Sequence, residues 1–281
     1  MRLAVLASRV RLDEKRVFAA LDRRAVGYEY VDTRVTWSVL SGGTPRWDVV
    51  LNREIGYARA VHAAWALEAE GSRVVNSAIA TEVCGDKWRT SIALREASVP
   101  VPRTALALTP QAALDALEVL GYPAVVKPLV GSWGRLVTLL PDRATAEAVL
   151  EYVAALPGPQ SHVVYLQEFV PKADRDIRVL VVGGEALGAV SRYGDQWRTN
   201  VARGARAQRC ELGPALAKLA LTAAGAVGAG IAGVDLVEAP DGRLLVLEVN
   251  HGVEFSGFQE AMGTRTDVAD RIVDYVLAVE S

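Results

Sequence analysis

Residues 233–254 read GVDLVEAPDGRLLVLEVNHGVE, and the rest of the chain is best understood outward from them. Two apolar runs flank Ala239-Pro240-Asp241-Gly242, and Asp-Gly between alternating hydrophobic residues is a strong local signal for a β-hairpin. A tight turn at Asp241-Gly242 puts Asp235 directly opposite Glu248. Because side chains alternate along a strand, Glu248 and Asn250 then share one face, and Asp235 lies on it with them. Like charges opposite each other on a sheet repel, and a buried carboxylate is costly without a counter-charge. A hard cation removes both problems. Two carboxylates and a carboxamide form an oxygen-only donor set suited to Mg²⁺ or Mn²⁺, so Asp235, Glu248 and Asn250 are the expected metal ligands. The competing reading, three strand ends in solvent, accounts for any one of them but poorly for the trio in register.

The 281 residues are 51% hydrophobic and 23% charged, which is ample for a sizeable core. A net charge of −2 and a pI near 6.0 give no electrostatic footprint for nucleic acid, which is not expected as a partner. The opening MRLAVLAS is too short and too soon charged for a signal peptide. No apolar run approaches the ~18 residues of a membrane span, so a cytoplasmic protein without membrane association is expected. Cys84 and Cys210 are isolated, with no CxxC or His-rich spacing, and are expected as reduced, buried thiols.

Toward the N-terminus, strands at 2–8, 28–32, 48–52 and 74–76 alternate with helices at 13–26 and 55–70. This pattern implies a parallel sheet with helices on both faces, a Rossmann-like α/β unit over residues 1–85. Ala7-Ser8-Arg9 stands where a glycine-rich phosphate loop would follow the first strand, so nucleotide is not expected there. Residues 76–97 read as helix with Asp86-Lys87-Trp88 inside it. A central unit over 86–160 has strands at 103–108, 123–129 and 135–140 and helices at 110–120 and 143–156. Pro157-Gly158-Pro159 is the clearest linker. The third unit, 161–281, has strands at 163–170, 176–182 and 186–191, then a basic loop, a helix at 213–227, the hairpin and a closing helix at 268–279. Residues 228–233 formally match GxGxxG, but a helix precedes them and a strand follows, the reverse of a dinucleotide fingerprint.

Several stretches outside the hairpin can carry chemistry. Lys127 ends an apolar strand, where an ammonium must reach a surface or meet an anion. Gly131-Ser132-Trp133-Gly134 follows, and its glycines let backbone N–H groups approach phosphate oxygens. Gln167-Glu168-Phe169-Val170 runs into Pro171 and offers a hinge for a flat heterocycle, or else is an ordinary strand end. Residues 192–209 carry five arginines against one aspartate, either a solvated face or an anion site.

Together, Lys87, Lys127, the glycine loop, Gln167 to Val170, Asp176-Ile177-Arg178, Arg192, Asn200 with Arg203-Gly204, and Asp235…Glu248-Val249-Asn250 resemble the ATP-grasp carboxylate–amine ligases. The similarity runs over essentially the whole chain. Within that superfamily the chain is most similar to the amino-group-carrier ligases LysX and ArgX, through Cys84-Gly85-Asp86-Lys87-Trp88, Gly131-Ser132-Trp133-Gly134-Arg135 and Asn250-His251 followed by Glu254-Phe255.

The resemblance implies an ATP-grasp fold, α+β in its ATP-binding part, behind the Rossmann-like domain. It implies phosphorylation of a carboxylate by ATP and attack of an amine on the acyl phosphate. Lys87 and Lys127 would hold phosphates, with Gly131, Ser132, Trp133 and Gly134 over them. Gln167, Glu168, Phe169 and Val170 would hold adenine, and Asp176 and Arg178 lie in the segment leading on to the ribose. Arg192, Asn200 and Arg203, with Gly204, would face the transferred phosphate. The carboxylate in this family belongs to a small acidic carrier protein, LysW, and the amine to an amino acid. ArgX-type members, which use glutamate, carry a Gly-Phe motif after the metal strand, and this chain has Gly257-Phe258 there. Glutamate is therefore the first expectation and 2-aminoadipate the second. By the same resemblance a homodimer or homotetramer is expected. Two other readings stay open: an ATP-grasp ligase with a different acceptor, such as a ribosomal-protein tail or a small molecule, and a nucleotide-binding regulator without turnover.

Overall fold

The run LAVL forms β1 (Leu3–Leu6), buried at every position, and VVLN forms β3 (Val49–Asn52), equally buried. Strands covered on both faces need no polar alternation, which is why these read as continuous apolar runs. With β2 (Tyr28–Val31) and β4 (Arg73–Val75) they make a parallel sheet of order β2-β1-β3-β4, flanked by α1 (Leu12–Arg23) and α2 (Tyr57–Ala69). The protein is described here from a computed structural model covering residues 1–40, 44–131, 136–172, 175–194 and 206–279.

The expected helix over 76–97 is two helices, α3 (Ala78–Gly85) and α4 (Lys87–Glu96). Asp86 between them is extended, and its carboxylate accepts the N–H groups of Trp88 and Arg89 at 2.9 and 3.0 Å. An aspartate that caps a helix start competes with continuation of the preceding helix, a local choice that apolar periodicity does not register. The break aims Lys87 at the central unit, where its backbone N–H donates to Leu129 O at 3.0 Å.

The central sheet has the order β5-β8-β6-β7, antiparallel throughout, from β5 (Thr104–Ala107), β6 (Ala124–Lys127), β7 (Thr138–Leu140) and β8 (Val164–Glu168). Helices α5 (Pro110–Leu120) and α6 (Arg143–Ala154) cover one face through Leu117, Leu120, Ala146 and Leu150. Strand β8 sits between β5 and β6, so the central sheet continues past the division expected at residue 160. Pro157-Gly158-Pro159 turns the chain back into the same sheet. Proline and glycine mark a turn there, not a domain boundary.

The third sheet, antiparallel, has the order β11-β10-β9-β12-β13: β9 (Arg175–Val182), β10 (Glu185–Tyr193), β11 (Arg206–Cys210), β12 (Ile231–Glu238) and β13 (Leu244–Asn250). Val179 and Val181 pack with Leu216, Ala220 and Ala223 of α7 (Pro214–Ala226), while Leu180 and Val182 pack with Ile272 and Val276 of α9 (Val268–Ala278) and with Leu3 and Val17 of the first unit. One core thus joins the N-terminal sheet to the third sheet. Strand β11 lies in the segment expected as a basic loop; Arg206 and Arg209 are exposed on an edge strand, where charge blocks further pairing and hides the strand from an apolar search.

Candidate active site

Asp235 lies opposite Glu248 and Gly233 opposite Asn250, as the hairpin reading requires. The route to that register differs. Ala239 N donates to Arg243 O and Gly242 has φ 81°, so the turn holds three residues instead of two. A bulge between Leu236 and Asp235 skips Leu247 and restores the pairing. Without it every side chain of β13 beyond the bulge would face the other way.

The counter-charge beside Asp235 comes from arginine. Arg178 grips it with both prongs, Nε to Oδ1 and Nη2 to Oδ2, each at 2.7 Å. Arg192 Nη2 lies 3.2 Å from Oδ2, and Asn250 Nδ2 donates to the same oxygen at 3.4 Å. Arg192 in turn donates from Nε to Asp176 Oδ1 at 2.5 Å, and Lys172 Nζ is 3.5 Å from the other Asp176 oxygen. Asp176, Arg192 and Asp235 are only 4–6% exposed. Burial pushes the Asp235 carboxyl up, but Arg178 and Arg192 outweigh it and hold it below the usual carboxylate range. For Arg192, burial works to lower the guanidinium, and Asp235 and Asp176 together keep it raised. Asp176, expected in the segment leading toward a ribose, pairs with Arg192 and Lys172.

Glu248 has no such clamp among its described contacts; its nearest cation is Lys87 Nζ, 3.8 Å from Oε1. Lys87 also donates to Gly131 O at 2.8 Å, which ties the start of the glycine loop to β13. Lys127 lies on an inner strand and turns its Nζ onto the buried Gln167 carboxamide at 2.6 Å. Burial lowers this ammonium to about 8, with Glu248 pulling it back up and Lys87 pushing it further down. Gln167 also donates to Tyr165 Oη at 3.1 Å, so its side chain orients Lys127. The N–H groups of Glu168 and Phe169 donate to Arg103 O and Pro123 O, and Val170 packs against Val237, Ala239 and Leu245. Ser132, Trp133, Gly134, Asn200, Arg203 and Gly204 lie outside the described residues.

A cleft of about 400 Å³ opens over Asp235, Glu248 and Asn250. Beside it a pocket of about 300 Å³ is walled by Gly257 and Phe258, which the short helix α8 (Ser256–Met262) presents. Among the described residues no group of three or more His, Cys, Asp and Glu side chains has metal-holding geometry.

This arrangement has counterparts. Residues 84–276 match the RimK-like ATP-grasp domain and residues 3–83 the LysX preATP-grasp domain. The chain belongs to the RimK-like ATP-grasp family. It is 32% identical to the glutamate–LysW ligase ArgX of Sulfolobus acidocaldarius, over 98% of this chain and 98% of that protein. It is 35% identical to the α-aminoadipate–LysW ligase LysX of the same organism, over 74% of this chain and 76% of that one. The crystal structure of a RimK domain ATP-grasp protein from Sphaerobacter thermophilus superposes with a TM-score of 0.83 at 28% identity, covering 99% of this chain and all of the other. ATP-grasp ligases use ATP and divalent metal ions.

Within the ATP-grasp frame, the first unit supplies cleft residues that local motifs did not reveal. Arg11, Glu54 and Tyr57 line the larger cavity, and Arg11, Leu12 and Asp13 the smaller. Glu54, 2% exposed, accepts the Ser8 N–H at 2.9 Å, so a carboxylate stands where a dinucleotide phosphate would approach the end of β1. His251 also borders the cleft, and burial, with Arg53 nearby, lowers its imidazole to about 4, which keeps it neutral at pH 7. Cys84 is buried as expected, its thiol pushed up to about 12 by burial and by Glu248, while Cys210 is half-buried; both are free. The sequence signal for Arg11 is its spacing of three from Glu14 at a helix start, which reads equally well as a cap. Among the described residues no helix is long and apolar enough to cross a membrane.

Proposed function

We propose that this protein is a cytoplasmic ATP-dependent ligase that phosphorylates the side-chain carboxylate of the C-terminal glutamate of a small acidic carrier of the LysW type and joins it to the α-amino group of an amino acid, glutamate before 2-aminoadipate. The observation that carries the reading is the shared wall of the two cavities. An amine pocket bounded by Gly257 and Phe258 abuts a cleft lined by Arg178, Arg192, Asp235 and Glu248. Phosphoryl transfer asks little covalent help of a protein and much positioning and charge neutralisation. Lys87, Lys127 and Arg192 supply positive charge from three separate elements. Arg203 and Asn200 are assigned the transferred phosphate by the family resemblance alone.

Glu248 and Asn250, with Asp235 behind them, fit a hard cation by donor chemistry, and Mg²⁺ would be the ion held. When bound it neutralises phosphate charge. Asp235 already has both oxygens on guanidinium groups, so Glu248 and Asn250 are its more open partners.

Intact-mass measurement of a LysW-type carrier after incubation with the protein, ATP, Mg²⁺ and equal glutamate and 2-aminoadipate tests the reading. A glutamate-sized gain is expected. An aminoadipate-sized gain would keep the ligase and remove the Gly257-Phe258 assignment, and no gain would remove the carrier.

ATP affinity should also depend on pH. Because the ammonium of Lys127 titrates near 8 in the ligand-free protein, it is charged at pH 7 and mostly neutral at pH 9. A phosphate beside it favours the charged form, so binding above pH 8 must take up a proton and weakens as pH rises, by about tenfold between pH 7 and 9. Calorimetry in buffers of different ionisation enthalpy reads that uptake. In Lys127→Arg, which stays charged, the decline should vanish; its persistence would mean that another group titrates.

A further inference from the structure

The two cavities share four lining residues, Arg11, Arg178, Arg192 and Glu254, and two of these form an ion pair, Arg11 Nη1 to Glu254 Oε1 at 2.8 Å. Arg11 is held from behind. The fully buried Glu14 takes its Nε and Nη2 at 2.9 and 2.8 Å and its backbone N–H at 2.9 Å, which leaves the Nη1 edge facing Glu254. Glu254 is held at its base on both sides. Arg53 Nη1 donates to Val253 O at 3.0 Å, and Phe255 N donates to Asp13 Oδ2 at 2.9 Å. Its carboxylate end is free to move: the side chain is 48% exposed, against 0% for Glu14, 7% for Asp235 and 8% for Asp176.

Those exposures decide which of the arginines can change partner. Releasing Asp235 from Arg178, or Asp176 from Arg192, would strand a buried charge, which is strongly unfavourable. Releasing Glu254 from Arg11 returns a half-exposed carboxylate to water, and exposed pairs contribute little to stability. Among the described arginines of the pocket, Arg11 is therefore the one whose carboxylate is exchangeable. The group best suited to the exchange carries an anion for Arg11 and a cation for Glu254 on neighbouring atoms.

We propose that the pocket beside Phe258 seats an α-amino acid whose carboxylate replaces Glu254 on Arg11 while its ammonium engages Glu254. This rests on the ligase reading and names residues that recognise its amine substrate. The gate is self-complementary in the empty protein, and the zwitterion satisfies both halves at once. Because the pair stands between the cavities, it also sets the amino group at the border of the cleft that holds Asp235 and Glu248.

Calorimetric titration of the full chain with glutamate, with 2-aminoadipate and with glutarate, which lacks the amino group, tests this. The unmodified protein should bind an amino acid in preference to glutarate. Arg11→Met should weaken amino acid and glutarate alike by about 10- to 100-fold, the usual weight of hydrogen bonds to a charged group. Glu254→Gln, at a half-exposed position that folding tolerates, should keep glutarate binding and abolish the preference for the amino acid. Undiminished amino-acid binding in Arg11→Met, an intact preference in Glu254→Gln, or no binding by the unmodified protein overturns the proposal. A carrier that gains no mass while amino-acid binding still depends on Arg11 and Glu254 would overturn the carrier reading and leave this one standing.

Discussion

Asp235→Ala is expected to destabilise the protein by about 3–5 kcal/mol, the usual cost of removing one partner from a buried ion pair. Asp235 is the shared anion of two guanidinium groups, Arg178 at 2.7 Å and Arg192 at 3.2 Å. Removing it leaves two guanidinium groups and the Lys172 ammonium facing one remaining aspartate, Asp176, in a region where Arg192 is 4% exposed. Asp235→Asn preserves the shape and not the charge, and should incur most of the same loss. Since whole domains are stable by only about 5–15 kcal/mol, urea midpoints will move plainly if the protein folds at all. The contribution has a sign in pH as well. Arginine holds the Asp235 carboxyl below its usual range against burial, so the stability it confers is present at neutral pH and lost as pH falls beneath the ordinary carboxylate range. A wild-type midpoint in Asp235→Ala would show that the arginines are neutralised by something else.

Glu248→Gln should behave in the opposite way, with stability within about 1 kcal/mol of wild type and turnover reduced about 100- to 1,000-fold. Its side chain is 29% exposed and its one described ion pair, to Lys87, spans 3.8 Å, so little folding energy rests on it. Its charge is expected to count when phosphates and a divalent ion enter the cleft. ADP release measured against Mg²⁺ concentration, beside a denaturation curve of the same sample, separates the two effects. Unchanged Mg²⁺ dependence in Glu248→Gln would dismiss the hairpin as the metal strand. The two opposed carboxylates are thus expected to divide their work, Asp235 keeping the arginines in place and Glu248 meeting the cation.

The amphipathic and apolar signals were sound guides to local structure because they are local. Pro110–Leu120 with its glycine stop, the four parallel strands of the first unit and the backward GxGxxG all follow from chain neighbours. Where a short-range polar choice outweighs periodicity, the pattern fails. Asp86 splits a helix, and Arg206–Cys210 pairs as an edge strand without an apolar run. The hairpin register came out right although its turn is one residue longer than expected, because the Leu247 bulge cancels the difference.

By itself the sequence determined which residue types are available for the chemistry and that Asp235 and Glu248 share a hairpin, since residues thirteen apart across a turn are placed by backbone geometry alone. Tertiary structure alone decided what neutralises them and what shapes the pocket beside Phe258. Arg178 reaches Asp235 because β9 lies between β10 and β12, and Arg11 meets Glu254 across 243 residues of chain. Strand order and domain packing are set by burial summed over the whole core, and no local pattern carries that sum.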